Sequence, residues 1–394
     1  REHGGAWEYQ GVAEMKNGWQ TKTLDQISTN LDSRRVPITR GVRSVGKYPY
    51  YGASGIVDYV ADYIFDENAL LISEDGANLL ARSTPIAFPV SGKYWVNNHA
   101  HILKFENPAT QRFVELYLES IPLDDYITGA AQPKLNQTAL NSIPIPFPPL
   151  PEQQRIVGIL DEAFDGLARA TANAEQNLRN ARALFESHLQ SVFTQLRGSP
   201  VVPIGDVAEV FDGPHATPKT VDAGPVFLGI SALQDGRINL EATRHVTPQD
   251  FKQWTRRVKP QADDVVFSYE TRLGQAALIP NRLECCLGRR MGLVRVNRKQ
   301  LDPRFFVYQY ISPPFRKFLD SKTVRGATVD RIALKDFPSF PISLPSLPEQ
   351  ERMTSRLDKL RAETQRLESI YQQKLAALGE LKKSLLHQAF SGNL

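Results

Sequence analysis

Residues 41–48, Gly-Val-Arg-Ser-Val-Gly-Lys-Tyr, come within one position of a phosphate-cradling loop. The G-x-x-x-x-G-K spacing is present, but Tyr48 stands where a Ser or Thr hydroxyl would hold magnesium. Pro49 also blocks the helix whose N-terminus would face the phosphates. Nucleotide binding is not expected here. Asn107-Pro108-Ala109 lacks the second proline and the aromatic residue of an amino-methyltransferase signature, and no glycine-rich S-adenosylmethionine loop follows a strand. Asp263-Asp264 lacks the spaced Glu-x-Lys of a nuclease, while Asp161-Glu162 and Asp124-Asp125 read as solvated faces. Cys285 and Cys286 are adjacent, which suits neither the C-x-x-C spacing of a zinc site nor a disulfide framework. A reducing, cytoplasmic setting is expected. The residues point to a non-catalytic chain with no metal and no cofactor of its own.

Reading nucleic acid needs paired donors and acceptors in loops, with cations beside them for the phosphates. In the first half, Arg34, Arg35, Arg40, Arg43 and Lys47 precede Tyr50-Tyr51-Gly52-Ala53-Ser54-Gly55, where glycines allow close backbone approach. Tyr50, Tyr51 and Ser54 are candidates there, followed by Asn78, Gln132, Lys134 and Asn136. In the second half the candidates are His215, Thr217 and Lys219 after Gly213-Pro214, then Tyr269, Glu270, Thr271 and Arg272, then Arg289, Arg290, Arg325 and Thr328. His99 and His101 could share a strand face as metal ligands, but no third ligand lies nearby in sequence, so a solvated or DNA-facing position is expected. The net charge of +4 is uneven. Residues 1–150 carry 13 basic against 16 acidic side chains, whereas residues 198–347 carry 21 against 15. The basic excess is compatible with nucleic-acid binding and does not establish it.

The elements that must position these loops repeat. Residues 144–196 and 341–393 are two versions of one segment at a constant offset of 197. Pro144-Ile145 matches Pro341-Ile342, and Leu150-Pro151-Glu152-Gln153 matches Leu347-Pro348-Glu349-Gln350. Asp161/Asp358, Leu189/Leu386 and Phe193/Phe390 follow at the same offset. Each version opens on a proline-dense strap, read as an extended, polyproline-like joint. Each continues as a proline-free apolar ladder, in the first copy Ile156, Leu160, Ala163, Leu167, Ala170, Ala174, Leu178, Ala181, Leu184, His188 and Val192, in the second including Leu357, Leu367, Leu375 and Leu381. Spacings of three and four over about 45 residues predict a rod of roughly 70 Å. Ahead of each strap lies a β-rich stretch. Leu70-Leu71-Ile72-Ser73 answers Val265-Val266-Phe267-Ser268, and Ile102-Leu103-Lys104 answers Leu293-Val294-Arg295. The offset drifts from 180 to 197, so the second unit carries about 17 more residues, assigned to loops.

A β-rich unit, a strap ending in Pro-Leu-Pro-Glu-Gln and a long helix, then the same again, resembles the specificity subunit of type I restriction–modification systems. Residues 129–137, Gly-Ala-Ala-Gln-Pro-Lys-Leu-Asn-Gln, running into the first strap, are similar to that family's exit from a target recognition domain. Residues 48–55 are similar to a segment near its DNA-facing loops. The second copy has Val329-Asp330-Arg331 in place of Gln-Pro-Lys. The resemblance covers nearly the whole chain from Met15, and residues 1–14 are expected to be an appended or disordered leader. It implies an α+β fold: target recognition domains at 15–150 and 198–347, and long spacer helices at 151–197 and 348–394 that pair as an antiparallel coiled coil with pseudo-twofold symmetry. It implies a bipartite, asymmetric duplex DNA target and two modification subunits carrying adenine methyltransferase chemistry, with restriction subunits of nuclease and translocase activity able to join. S-adenosylmethionine, ATP and Mg would be held by those partners. A methylation-only system, or a coiled-coil adaptor without direct DNA readout, stays open as an alternative. No apolar run approaches the ~20 residues that span a bilayer, and no membrane partner is expected.

Overall fold

The structure, a computed structural model, describes residues 18–129, 131–326 and 329–394. The leader expected at 1–14 lies outside them. The chain forms two compact units, one made of residues up to Ala174 with Gln373–Leu394, the other of Glu175–Gln372. Strands are numbered along the chain.

In unit one, a two-stranded ribbon pairs β1 (Gln20–Thr23) with β10 (Pro144–Phe147). A four-stranded antiparallel sheet runs β2 (Thr29–Asn30), β9 (Ala100–Lys104), β6 (Ala69–Ser73), β7 (Ala87–Val90). A second sheet runs β4 (Gly55–Val60), β3 (Val45–Gly52), β8 (Lys93–Val96), β5 (Phe65–Asp66). The central strand β6 is buried throughout, because a strand alternates its side chains between two faces and both are covered here. Leu70 and Ile72 join Leu103, Phe113 and Ile156 on the helical side. Ala69 and Leu71 join Phe65, Tyr94 and Ile102 on the side of the second sheet.

Unit two repeats the plan. A ribbon pairs β11 (Val201–Pro203) with β21 (Pro341–Ser343). The four-stranded sheet runs β12 (Ala208–Asp212), β20 (Met291–Val296), β17 (Val265–Ser268), β18 (Ala276–Leu278), the same order as in unit one. Val265 and Phe267 face the helical core with Phe305 and Phe337, and Val266 faces Leu287 and Leu293. The units differ between the first and third of these strands. Unit two inserts there β13 (Val221–Leu228), a hairpin of β14 (Leu233–Gln234) and β15 (Arg237–Ile238), β16 (Arg244–His245) and the helix Pro248–Trp254. The strand β19 (Cys285–Leu287) then pairs in parallel with β13. Burial there pushes the Cys285 and Cys286 thiols up to about 12.

The straps depart from the expected polyproline joint. Their first residues are strands β10 and β21, with Ile145 buried between two prolines and Ile342 buried after one. A ribbon of two strands is all edge, and there proline's missing N–H costs no ladder bond. The apolar ladders form helices Leu150–Gln195 and Leu347–Phe390. In each unit taken by itself the two helices run antiparallel. In unit one Arg155 donates to the Leu394 carbonyl and Lys382 lies over Phe164. In unit two Arg182 pairs with Glu368 at 3.1 Å and Arg361 lies over Phe185. Two rungs expected in the seam, Leu184 and Leu381, are instead half exposed.

The glutamine of each Pro-Glu-Gln is buried and locks the strap to its unit. Gln153 accepts from Thr110 Oγ1 and donates to the Pro148 carbonyl. Gln350 accepts from the Asp302 backbone N–H and donates to the Gln300 and Pro345 carbonyls. Asp161, expected on a solvated face, pairs with Arg112 at 2.7 Å, as Asp358 pairs with Arg304 at 3.1 Å. Phe113 then meets Phe390, and Phe305 meets Phe193.

Candidate nucleic-acid interface

Each four-stranded sheet ends, at the point where its third strand stops, in a cluster of charged and polar groups. In unit one Ser73 lies opposite Ala100, so the exit of β6 and the start of β9 share that end. The turn after β2 brings Asp32 there. Its Oδ2 is 2.5 Å from His101 Nδ1 and its Oδ1 accepts from the Ile102 N–H. His101 Nε2 donates to the Leu135 carbonyl at 2.7 Å. The ring thus links Asp32 to the backbone at Leu135. Glu74 takes Arg35 at 2.6 Å and Lys134 at 3.1 Å. Burial pushes the Asp32 carboxyl up, but hydrogen bonds from His101 and Ile102 outweigh it and hold the group below its ordinary value. For Glu74, burial is likewise outweighed by Arg35 and Lys134.

Asp32, Glu74 and His101 bring ligand-type atoms within 4.8 Å of one another. An ion there would have to displace the hydrogen bond at His101 Nδ1 and sit beside the cations Arg35 and Lys134, both already paired with Glu74, so the set is read as an internal network. His101 is therefore a buried network residue rather than a solvated or DNA-facing one. Its carboxylates come from segments too distant for sequence spacing to reveal. His99 is exposed and pairs with Asp75 at 2.7 Å.

In unit two the corresponding end carries a chain of side chains. Tyr269 OH donates to Asp212 Oδ1 at 2.9 Å, and Asp212 Oδ2 meets His215 Nε2 at 2.8 Å. His215 Nδ1 meets Arg290 at 3.2 Å, and Arg290 pairs with Glu270 at 2.8 Å. Thr271 and Arg290 both hold positive φ, 67° and 65°. That is a strained conformation for such residues, and sites that bind often carry it.

A loop closes over each end in the same way. Lys134 bridges Thr128 and Asp75, and Arg331 bridges Val324 and Glu270. A Cβ on Gly129 would lie 2.4 Å from the Gln132 carbonyl oxygen, and one on Gly326 would lie 2.6 Å from that of Val329. The two loops share these bridges and this close approach although Gln-Pro-Lys is absent from the second, and of the two glycines Gly129 holds a positive φ, 87°.

The structure brings Arg35, Ser54, Asn78, Gln132, Lys134 and Asn136 toward one end of unit one. Ser54 belongs to the β3–β4 turn, whose Ala53 carbonyl accepts from Ser73 Oγ. Gly76, two residues before Asn78, donates to the Pro133 carbonyl. Asn136 caps the helix Gln137–Asn141, and Asn78 holds its own loop through Thr84. Arg34 is turned toward Glu67 and the Phe65 ring, and Arg43 toward Asp58 and the Tyr50 ring. Arg40 and Lys47 are exposed, without an ion pair among the described residues. Tyr50 is a core residue, 1% exposed, with its hydroxyl held at Ile38, and Tyr51 packs on Phe88 and Tyr94. Tyr50 offers no free edge to a base, while Tyr51 is partly exposed.

In unit two His215, Glu270, Thr271, Arg290 and Arg325 gather at the sheet end, with Tyr269 buried beneath them. Arg325 pairs with Asp320 and Asp330, and the Thr271 N–H donates to the Asp330 carbonyl. Arg272 reaches the Ser231 carbonyl, while Thr217, Lys219 and Arg289 are exposed on neighbouring turns. Thr328 lies outside the described residues. The sequence missed Asp32, Glu74 and Asp212, and it named His101 but expected it in a solvated or DNA-facing position.

Comparison with known proteins adds the following. The family model described as "Type I restriction modification DNA specificity domain" matches residues 16–178 and again 198–376. A Haemophilus influenzae protein named as a type I restriction enzyme specificity subunit is 26% identical over 344 residues, covering 86% of both chains. The type I restriction enzyme MjaVIII specificity subunit of Methanocaldococcus jannaschii is 22% identical over 415 residues, covering 95% of this chain and 93% of its own. A solved chain from a study of assembly and conformational transition of the type I R-M system superposes with a TM-score of 0.72 at 18% identity, covering 97% of this chain and 100% of its own. The HsdS subunit of Thermoanaerobacter tengcongensis gives 0.57 at 18% identity, covering 98% of this chain and 99% of its own. At these identities the superpositions speak for the fold.

Proposed function

The chain belongs to the type I restriction–modification DNA specificity family, and from that premise we propose that each sheet end reads one half of a split, asymmetric duplex sequence. The observation that carries this reading is the pair of equivalent sheet ends closed by equivalent loops but furnished with different side chains. Arg35, Gln132 and Lys134 stand at one, and His215, Thr271 and Arg290 at the other. One scaffold with two furnishings suits a target whose halves differ. Fixed turns and ion pairs hold these groups in place before DNA arrives, which keeps the ordering cost of binding low.

The long helices, each continuing from one unit into the other, act as the spacer. Half-sites one turn of duplex apart lie roughly 34 Å from each other, about half the length of one helix. Two modification subunits supply the adenine methyl transfer with S-adenosylmethionine, and restriction subunits using ATP and Mg join them where the system includes them. Leu184 and Leu381, equivalent under the offset of 197 and each half exposed, offer two identical partners the same contact. Methylating a base within the duplex requires extracting it from the stack at a cost of a few kcal/mol. In this reading the specificity chain grips the flanking duplex while the partner draws the base out.

The test is binding-site selection from a random duplex library by the chain assembled with its modification subunit. The reading expects a two-part motif with an unread gap. A contiguous motif, or none at all, would overturn it.

A further inference from the structure

We propose that Asp32 and Asp212 are equivalent positioning residues, each orienting the recognition loops of its own unit through a different intermediary. This rests on the reading that the sheet ends face the bases. The equivalence follows from strand register. Asn30 lies opposite Leu103, which lies opposite Leu70; Val210 lies opposite Val294, which lies opposite Val265. Two residues beyond Asn30 is Asp32, and two beyond Val210 is Asp212. Both carboxylates thus leave the first strand of the sheet at the same point.

Their partners differ for a steric reason. In unit one His101, opposite Ile72, takes one oxygen of Asp32 and passes the constraint to the Leu135 carbonyl, at the base of the loop that carries Gln132 and Lys134. In unit two the position opposite Phe267 is Gly292, where a Cβ would come 2.5 Å from the Phe267 ring. No side chain fits there. Asp212 turns instead to Tyr269, which follows Ser268 as Glu74 follows Ser73, and to His215, which holds Arg290. Asp32 is buried away from DNA, and Asp212, partly exposed, has both oxygens taken by Tyr269 and His215. Asp32 is 8% exposed and its charge is held by His101 and Arg35. What each carboxylate controls is the setting of its neighbours, so removing its charge should blur one half of the target and leave the other sharp.

The experiment expresses the full chain with its modification subunit and reads the methylated sites by methylation-sensitive sequencing, for the native chain, Asp32→Asn and Asp212→Asn. Asparagine keeps the side-chain shape and, at position 32, the acceptor for the Ile102 N–H. A mismatch that the native chain rejects by about tenfold or more should be rejected only a few-fold in one half of the motif. The affected half should differ between the two variants. Should Asp32→Asn not accumulate as a soluble complex, His101→Gln, which keeps a donor for the Leu135 carbonyl, is read in the same way. A split motif from the native chain with both variants unchanged, or with both halves blurred equally, would overturn the positioning role. Absence of a split motif from the native chain would instead overturn the reading beneath it.

Discussion

Asp32 and Glu74 are buried carboxylates held by Arg35, Lys134 and His101, and their ionisation should be visible in stability. Burial works against both carboxylates, yet the cations and N–H donors around them bring both below their ordinary values of 3.8 and 4.5. A carboxylate with a depressed folded value stabilises fully above its unfolded value and loses that contribution as pH falls through the folded one. The melting temperature should therefore fall in acid, below about pH 4, and fall less steeply in Asp32→Asn/Glu74→Gln. Parallel slopes for the two proteins would show that these groups do not carry the effect. Lys134 is half exposed and pairs with Glu74 at 3.1 Å. As a phosphate contact, its replacement by alanine should weaken binding to all sequences alike and reduce the salt slope by about 1. Single residues were the least legible part of the sequence. Tyr50 had the type and neighbours of a DNA contact, but an aromatic ring serves a core equally well, and only its burial separates the two uses. His101 meets Asp32 across 69 positions of sequence, a distance no local spacing can encode.

At the scale of elements, the buried glutamines offer a comparison within one molecule. Gln153 and Gln350 occupy matching positions, but Gln153 serves a threonine hydroxyl and one carbonyl, whereas Gln350 serves a backbone N–H and two carbonyls. Gln153→Ala and Gln350→Ala should each cost about 1–3 kcal/mol by leaving buried groups unpaired. Calorimetry would place each loss in the unit that contains the residue, and a loss shared equally by both transitions would contradict the assignment. Gly129 combines a φ of 87° with a carbonyl oxygen 2.4 Å from any added Cβ. Gly129→Ala should therefore displace the 129–136 loop and degrade recognition of one half-site. Helices, straps and central strands were legible because their signals are periodic or dense in proline. The strap's pairing into a ribbon was not, because proline density reports the backbone's stiffness and says nothing of its neighbour. The half-exposed Leu184 and Leu381 show a further limit, since a ladder of apolar residues does not say which rungs face the partner helix.

At the scale of the whole molecule, the offset of 197 is the feature on which the proposed function rests. Two matching surfaces invite two copies of one partner. On the proposed assembly with two modification subunits, Leu184→Glu and Leu381→Glu should each remove about one of them, and the double variant both, as read by native mass spectrometry; full assembly of the double variant would exclude this contact. The central claim is that the paired helices set the distance between the two parts of the target. Inserting four residues into each helix, at 174/175 in the first and 372/373 in the second, lengthens both by roughly 6 Å, near two base-pair steps. Selection of bound duplexes by the native and lengthened proteins, each assembled with its modification subunit, measures the gap directly. The account predicts the same two half-sequences separated by about two more base pairs. An unchanged gap with both halves still read would contradict it.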